Sequence, residues 1–303
     1  MTKQRLWALL AAGSCIMWGI SGLFGKALFE AAPQADAIWL SQVRMLVSGL
    51  VMLAIAGMRG LQPLKILKNK QDLWQIVAYG IFGLLPVQAC YFIAVQLSNA
   101  SIATILQFLG PFFVIAYLGV TKKQVIRRLD IIASIVAFLG VALLSTHGRM
   151  DQLAITPIVL FWGILSAIGE ANNTLLPIKV IKKYSSLLVT GWGMLFSGIA
   201  LSIMHPHVPK VPNTPMVWGC VLSVILIGTI IPFQLMASSL RYIKPSVASM
   251  LDAFEPLSAT IGSVLVFGLQ LTPLDWLGSV MVVVAVLALN IMPKKKPLPT
   301  SRK

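Results

Sequence analysis

The chain is a succession of long apolar runs joined by short polar connections. A helix needs about 20 mostly apolar residues to cross a bilayer. Ten stretches fit that measure: residues 7–29, 37–57, 73–96, 99–119, 130–146, 156–178, 185–204, 217–239, 245–268 and 274–292. The pattern predicts an all-α membrane protein of ten transmembrane helices. The connections leave no room for a soluble domain. The first run is longer than the 7–15 apolar residues of a typical signal peptide, so it is expected to stay in the fold.

Composition agrees. The 303 residues have a mean hydropathy of +0.86 and only 11% charged side chains, against about 25% in a soluble domain. The net charge of +15 would suggest nucleic acid in a soluble protein. Its placement explains it otherwise. Lys3 and Arg5 precede the first run, and Arg59, Lys65, Lys68 and Lys70 follow the second. Lys122, Lys123, Arg127 and Arg128 follow the fourth, Lys179, Lys182 and Lys183 the sixth, and Arg241 and Lys244 the eighth. Lys294, Lys295, Lys296, Arg302 and Lys303 follow the tenth. These are 20 of the 24 basic residues; Arg149 and Lys210 fall on the other face, and Lys26 and Arg44 within spans. Basic loops stay inside, so both termini are expected in the cytoplasm, in a multi-pass protein of the cytoplasmic membrane with no nucleic-acid partner.

The two halves match at a nearly fixed offset. Trp18-Gly19-Ile20 recurs as Trp162-Gly163-Ile164, and Pro86-Val87-Gln88 as Pro232-Phe233-Gln234. Ser101-Ile102-Ala103-Thr104-Ile105-Leu106 with Pro111 recurs as Ser246-Val247-Ala248-Ser249-Met250-Leu251 with Pro256. Leu129-Asp130 with Ser134 recurs as Leu274-Asp275 with Ser279. The offsets are 144 to 146. The organisation expected is therefore two five-helix repeats, 1–147 and 152–292, and a basic tail, 293–303. Five is odd, so the second repeat enters the membrane the other way up. Inverted repeats are a recurring transporter design.

On these residues the chain resembles the drug/metabolite transporter superfamily, EamA type. Val43-Arg44-Met45-Leu46, Ala248-Ser249-Met250-Leu251, Glu255-Pro256, and Thr272-Pro273-Leu274 with Gly278 add to the likeness. Gly268-Leu269-Gln270 departs from the Gly-Glu often seen there. The resemblance implies efflux or uptake of amino acids, related metabolites or toxic amphiphiles, with spans five and ten as scaffold.

Ionisable groups inside spans are costly and face protein or water. They are Lys26, Arg44, Glu170, Asp252 and Glu255. Lys26, about 12 Å from mid-span, is placed to snorkel. The short acids lie deeper, with Asp252 one turn below Glu255 on one helix face. A carboxyl at depth is penalised when charged, which suits Glu255, assisted by Asp252 and Glu170, to a coupling role with protons or to binding a cationic group. Pairing with Lys26 or Arg44 is the structural alternative. Arg44 is also suited to a substrate carboxylate. By the repeat, Asp252 matches Gln107 and Glu255 matches Gly110, so the acids break the symmetry.

Tryptophan normally sits at interfaces. Trp18 and Trp162 instead fall at mid-membrane, as packing residues or as two walls of one cavity. Pro86, Pro111, Pro232 and Pro256 are candidate hinges at matched positions, with Gln88 and Gln234 as neutral polar contacts beside them. Cys15, Cys90 and Cys220 are expected to be small buried residues. His147, His205 and His207 map to outer loops, so no metal site is expected. No nucleotide-binding loop is present, and neither a cofactor nor an enzymatic activity is expected. The sequence thus predicts a secondary transporter of small metabolites, amino acids or related amphiphiles, with export favoured. Alternatives are an uptake permease for a cationic or zwitterionic metabolite, a channel, or an interaction protein. Oligomeric state is left open.

The topology has a direct check. With native cysteines removed, Gln270→Cys is expected to react with an impermeant maleimide added outside intact cells. Labelling only after permeabilisation would reverse the orientation.

Overall fold

The computed structural model describes residues 2–97, 100–122, 124–146, 156–268 and 270–291. Lys123, His147, Arg149, the expected boundary between halves at 147–152 and the tail 293–303 lie outside the described residues. Among the described residues every regular element is helical.

Helix α1 (Lys3–Ala31) opens at Thr2, whose hydroxyl accepts from the Arg5 amide. Its 29 residues make it about 43 Å long, more than the ~30 Å of a hydrocarbon core. Helix α2 (Ala37–Met58) is capped by Asp36, which accepts from the Trp39 amide at 2.6 Å. A 3-10 turn (Pro63–Lys68) leads to α3 (Lys70–Tyr79), capped by Asn69. A π turn (Gly80–Leu84) carries α3 into α4 (Leu85–Leu97). Next come α5 (Ala100–Gln107), α6 (Gly110–Val120) and α7 (Arg128–Thr146).

Proline at the first helical position, preceded by a threonine cap, starts α8 (Pro157–Leu175) and α11 (Pro215–Ile225); both residues suit a helix N-terminus. Between them lie α9 (Ile178–Lys183) and α10 (Ser186–Met204). A second π turn (Leu226–Ile230) joins α11 to α12 (Ile231–Ser239). The chain ends in α13 (Pro245–Leu251), α14 (Phe254–Phe267) and α15 (Pro273–Ile291). Thr272 and Asp275 cap α15 reciprocally, at 2.7 Å and 3.2 Å, a capping box.

Seven of the described helical stretches are long and apolar enough to cross a membrane. The other expected spans are also helical: α7, the broken pair α13–α14, and α15. Large apolar side chains such as Phe82, Phe161 and Leu265 are exposed on their outer faces, as lipid contact requires.

The candidate hinges behave in two ways. Pro86 and Pro232 each follow a π turn within a helix that continues. Proline removes the donor that residue 82 would have met; the Asn172 amide replaces it, donating to the Phe82 carbonyl at 2.9 Å. Pro111 and Pro256 stand just after true breaks, at Phe108–Leu109 and Asp252–Ala253. The expectation that Asp252 and Glu255 share one helix face is therefore corrected. Asp252 ends α13, and Glu255 lies in the first turn of α14.

Helix α1 packs on α11, α12 and α14, while α8 packs on α4, α5 and α6. Helix α2 lies along α10, and α7 along α15. Glycine permits the two long seams. A Cβ on Gly49 would meet the Leu195 nitrogen at 2.8 Å and the Gly191 carbonyl at 2.9 Å; one on Gly140 would meet the Gly278 carbonyl at 2.8 Å. Lipid offers no hydrophobic drive between helices, so close backbone approach supplies the adhesion.

Gly49→Leu is expected to cost about 1–3 kcal/mol by overpacking, lowering the thermal midpoint of the detergent-solubilised protein by several degrees. Gly13, with nothing within 4 Å of its added Cβ, provides the control: Gly13→Ala is expected to leave the midpoint unchanged or slightly raised.

Candidate functional site

The two broken helices bring the intramembrane acids together. Gly110 opens α6 directly against α8: an added Cβ would stand 3.0 Å from both Cβ and Cγ of Glu170. Glu170 accepts from the Asn173 side chain at 3.5 Å and interacts with the Asp252 carboxyl at the other break. Asp252 is buried. One of its oxygens faces the Cys15 thiol at 3.5 Å, and the other has no hydrogen-bond partner. Glu255 follows one turn on, and Gly19 lets α1 close directly on its carbonyl.

Arg44 approaches from α2. Its charge and that of Glu255 act on each other, and its guanidinium lies 6.0 Å from the centre of the Phe92 ring. No carboxylate comes within ion-pair distance of Arg44 among the described residues, and its Nε is buried without a partner. Tyr91, hydrogen-bonded to Thr104 at 3.2 Å, borders Glu255 as well. The three carboxyls thus act on one another, and one of them, Glu255, on the single guanidinium. Fully ionised, the group would hold two surplus negative charges, which a low-dielectric interior penalises strongly. Protons or a bound cation would relieve that surplus. Glu170, Glu255 and Arg44 are only partly covered.

The remaining candidates are spread more widely. Trp18 packs edge-on against Phe233 at 4.9 Å and leaves its indole nitrogen buried without a partner. Trp162 packs edge-on against its neighbour Phe161 at 5.2 Å, and no ring contact joins the two tryptophans. Gln107 spends its amide protons on the Val87 carbonyl and the Ser166 hydroxyl, both at 2.9 Å. Gln88 donates to the Leu84 carbonyl at 3.4 Å, and Gln234 to Ser186 and Ser238. Each keeps a buried carbonyl oxygen with no partner. Lys26, the repeat counterpart of Glu170, has no described side chain.

Sequence reasoning missed three contributors. Cys15 reads as a small apolar residue, and nothing in its neighbours signals a carboxylate partner. Asn172 and Asn173 did carry a signal: two amides beside Glu170 in an apolar run. The described residues contain no cluster able to hold a metal ion.

The EamA-like transporter family matches residues 5–146 and 157–291. An uncharacterized inner membrane transporter of Salmonella typhimurium, YicL, is 31% identical over 97% of this chain and 97% of its own. The riboflavin transporter ImpX of Fusobacterium nucleatum is 20% identical, over 93% of this chain and 97% of its own. A crystal structure with 15% identity superimposes with a TM-score of 0.79, covering 95% of this chain and 97% of the other; at that identity it shows the fold alone.

The charge balance predicts a coupling. Arg44→Gln alone is expected to destabilise the protein more than Arg44→Gln combined with Glu255→Gln, with an interaction energy of about 1 kcal/mol or more. Additive shifts in thermal midpoint would mean that the two groups are independent.

Proposed function

Because the chain belongs to the EamA-like transporter family, we propose that this multi-pass transporter is a secondary transporter that moves small metabolites by alternating access. The observation that carries the reading is the cluster of Glu170, Asp252 and Glu255 between two broken helices, opposite Arg44. Discontinuous helices with charged groups at the break are a transporter arrangement.

The proposed architecture is ten transmembrane helices in two inverted repeats, 1–147 and 152–292, with a basic tail, 293–303. Several pairings support it. Helix α1 packs against the eighth and ninth spans as α8 does against the third and fourth. Both π turns precede matched prolines. Each long seam joins an element to its own counterpart, α2 with α10 and α7 with α15. Both termini are placed in the cytoplasm, and the cytoplasmic membrane is the proposed location, supported by the inner-membrane relative.

In this reading Glu255, with Asp252 and Glu170, loads a proton or receives a cationic group of the solute. Arg44 holds a carboxylate. A zwitterionic amino acid or related amphiphile fits both ends, and export is the proposed direction. Trp18 and Trp162 are walls, and Gln88, Gln107 and Gln234 supply neutral contacts. Pro86, Pro111, Pro232 and Pro256 mark the hinges.

The test begins with a thermal-shift screen of the purified protein against amino acids, amphiphilic amines and riboflavin, followed by flux of each hit in proteoliposomes. If Glu255 carries the proton, Glu255→Gln is expected to abolish accumulation driven by a pH gradient while retaining solute exchange. If it binds the solute, both fail. Unchanged accumulation rules out either role.

A further inference from the structure

The connections that the sequence assigns to the basic face carry only two acids near them, Asp72 and Asp130. Asp130 stays within its own turn, paired with Arg127 at 2.7 Å. Asp72 reaches across the bundle. From the first turn of α3 its carboxylate accepts from the Lys183 ammonium at the end of α9 and from the Tyr184 hydroxyl at 2.7 Å. The carbonyl of Tyr184 in turn accepts from the Arg241 guanidinium, in the connection between α12 and α13. One turn further in, the Gln75 amide donates to the Leu176 carbonyl at 2.8 Å.

Neighbouring contacts extend the tie. Ser186 at the start of α10 bonds Ser238 near the end of α12 at 2.8 Å, and Gln234 donates to both. Trp7 of α1 stacks flat on Tyr242, with ring centres 4.9 Å apart. Helices α1, α3, α9, α10 and α12, with the turn that follows α12, are thereby joined across one end of the molecule. At the other end, Gln42 donates to the carbonyls of Leu201 and His205, a tie within the single α2–α10 pair. Behind the clasp lie apolar side chains: Ile76, one turn along α3 from Asp72, is fully buried, and Ile181, two residues before Lys183, is almost so.

We propose that Asp72, Lys183, Tyr184 and Arg241 form the clasp that closes the basic face of the transporter and is broken each time that face opens. The inference rests on the alternating-access reading and its orientation. The physical basis is the kind of bond used. The Lys183 side chain is 51% exposed, and ion pairs at a water boundary are individually weak. They can be broken without a large barrier, whereas the glycine seams of α2–α10 and α7–α15 cannot slide apart cheaply. Asp72 is the keystone, because one carboxylate receives two donors from the opposing segment. By the repeat offset of 145, positions 72 and 183 match Val217 and Ile38. The other end therefore has no copy of the Asp72–Lys183 pair, and the two closed states are held by different means.

The test uses a native reporter at the centre of the molecule. In Cys90→Ala, Cys220→Ala protein, Cys15 beside Asp252 is the sole thiol, and it is fully buried. Its modification by a charged methanethiosulfonate is measured in inside-out vesicles, with the reagent added to the basic face. Asp72→Asn is expected to raise the rate at least about fivefold, and Lys183→Gln to do likewise. The exchange Asp72→Lys with Lys183→Asp is expected to return it towards the parent rate. Rescue excludes simple misfolding, since the exchanged protein carries two substitutions rather than one. A rate unchanged in both single variants overturns the proposal, as does an exchanged protein as reactive as either single. The readout needs no solute, so failure of the transport reading shows separately, as absent flux in parent proteoliposomes.

Discussion

In hydrocarbon, a backbone N–H or C=O without a partner costs several kcal/mol. A helix can stop inside a membrane only where something takes over its bonds. The two breaks meet that demand in a tight turn: Leu109 donates to Leu106 at 3.1 Å, Ala253 to Met250 at 3.3 Å and Glu255 to Asp252 at 3.0 Å. Everything proposed for the centre depends on this. Asp252 and Glu255 stand at the second break, with Glu170 of α8 beside them and Arg44 of α2 acting on Glu255. The unbroken helices, tied back to back through glycine, supply the rigidity that the broken ones give up.

The halves use the same backbone device for different ends. At one break, Gln107 spends both amide protons on Val87 and Ser166 and acts as a brace. At the matching position of the other, Asp252 keeps an oxygen without a partner. Gly110 gives Glu170 a place to lie, and its counterpart is Glu255 itself. The three carboxyls thus come from the second half of the chain, and Arg44 and Cys15 from the first.

Much of this was legible in the sequence. Apolar run length gave the helices, and Pro111 and Pro256 marked the breaks, because proline both removes a donor and follows a turn readily. Acids within apolar runs pointed to Glu170, Asp252 and Glu255, which the fold brings together. What was hidden depends on contacts far apart in the chain. Cys15 and Asp252 are 237 residues apart. Asp72 meets Lys183 and Tyr184, which stand 111 and 112 residues further along the chain. The amides of Gln88 and Gln234 are spent on the helix backbone or on nearby hydroxyls while their carbonyl oxygens stay without a partner, a division periodicity cannot reveal. The equivalence of Trp18 and Trp162 is a sequence fact that does not carry over to their neighbours: one meets Phe233, the other Phe161.

The amide of Asn172 on the Phe82 carbonyl has a wider meaning. A proline in a membrane helix creates a debt in one segment that a neighbouring segment settles, so the two positions cannot drift independently. Replacing Asn172 by an apolar residue would strand a carbonyl; replacing Pro86 by alanine would restore its donor and release Asn172 from service. The order of such changes over the history of a lineage is thereby constrained: the proline must go first. Asn172 is held to its place by a residue on another helix, as Arg44 and Glu255 are held to each other at the centre.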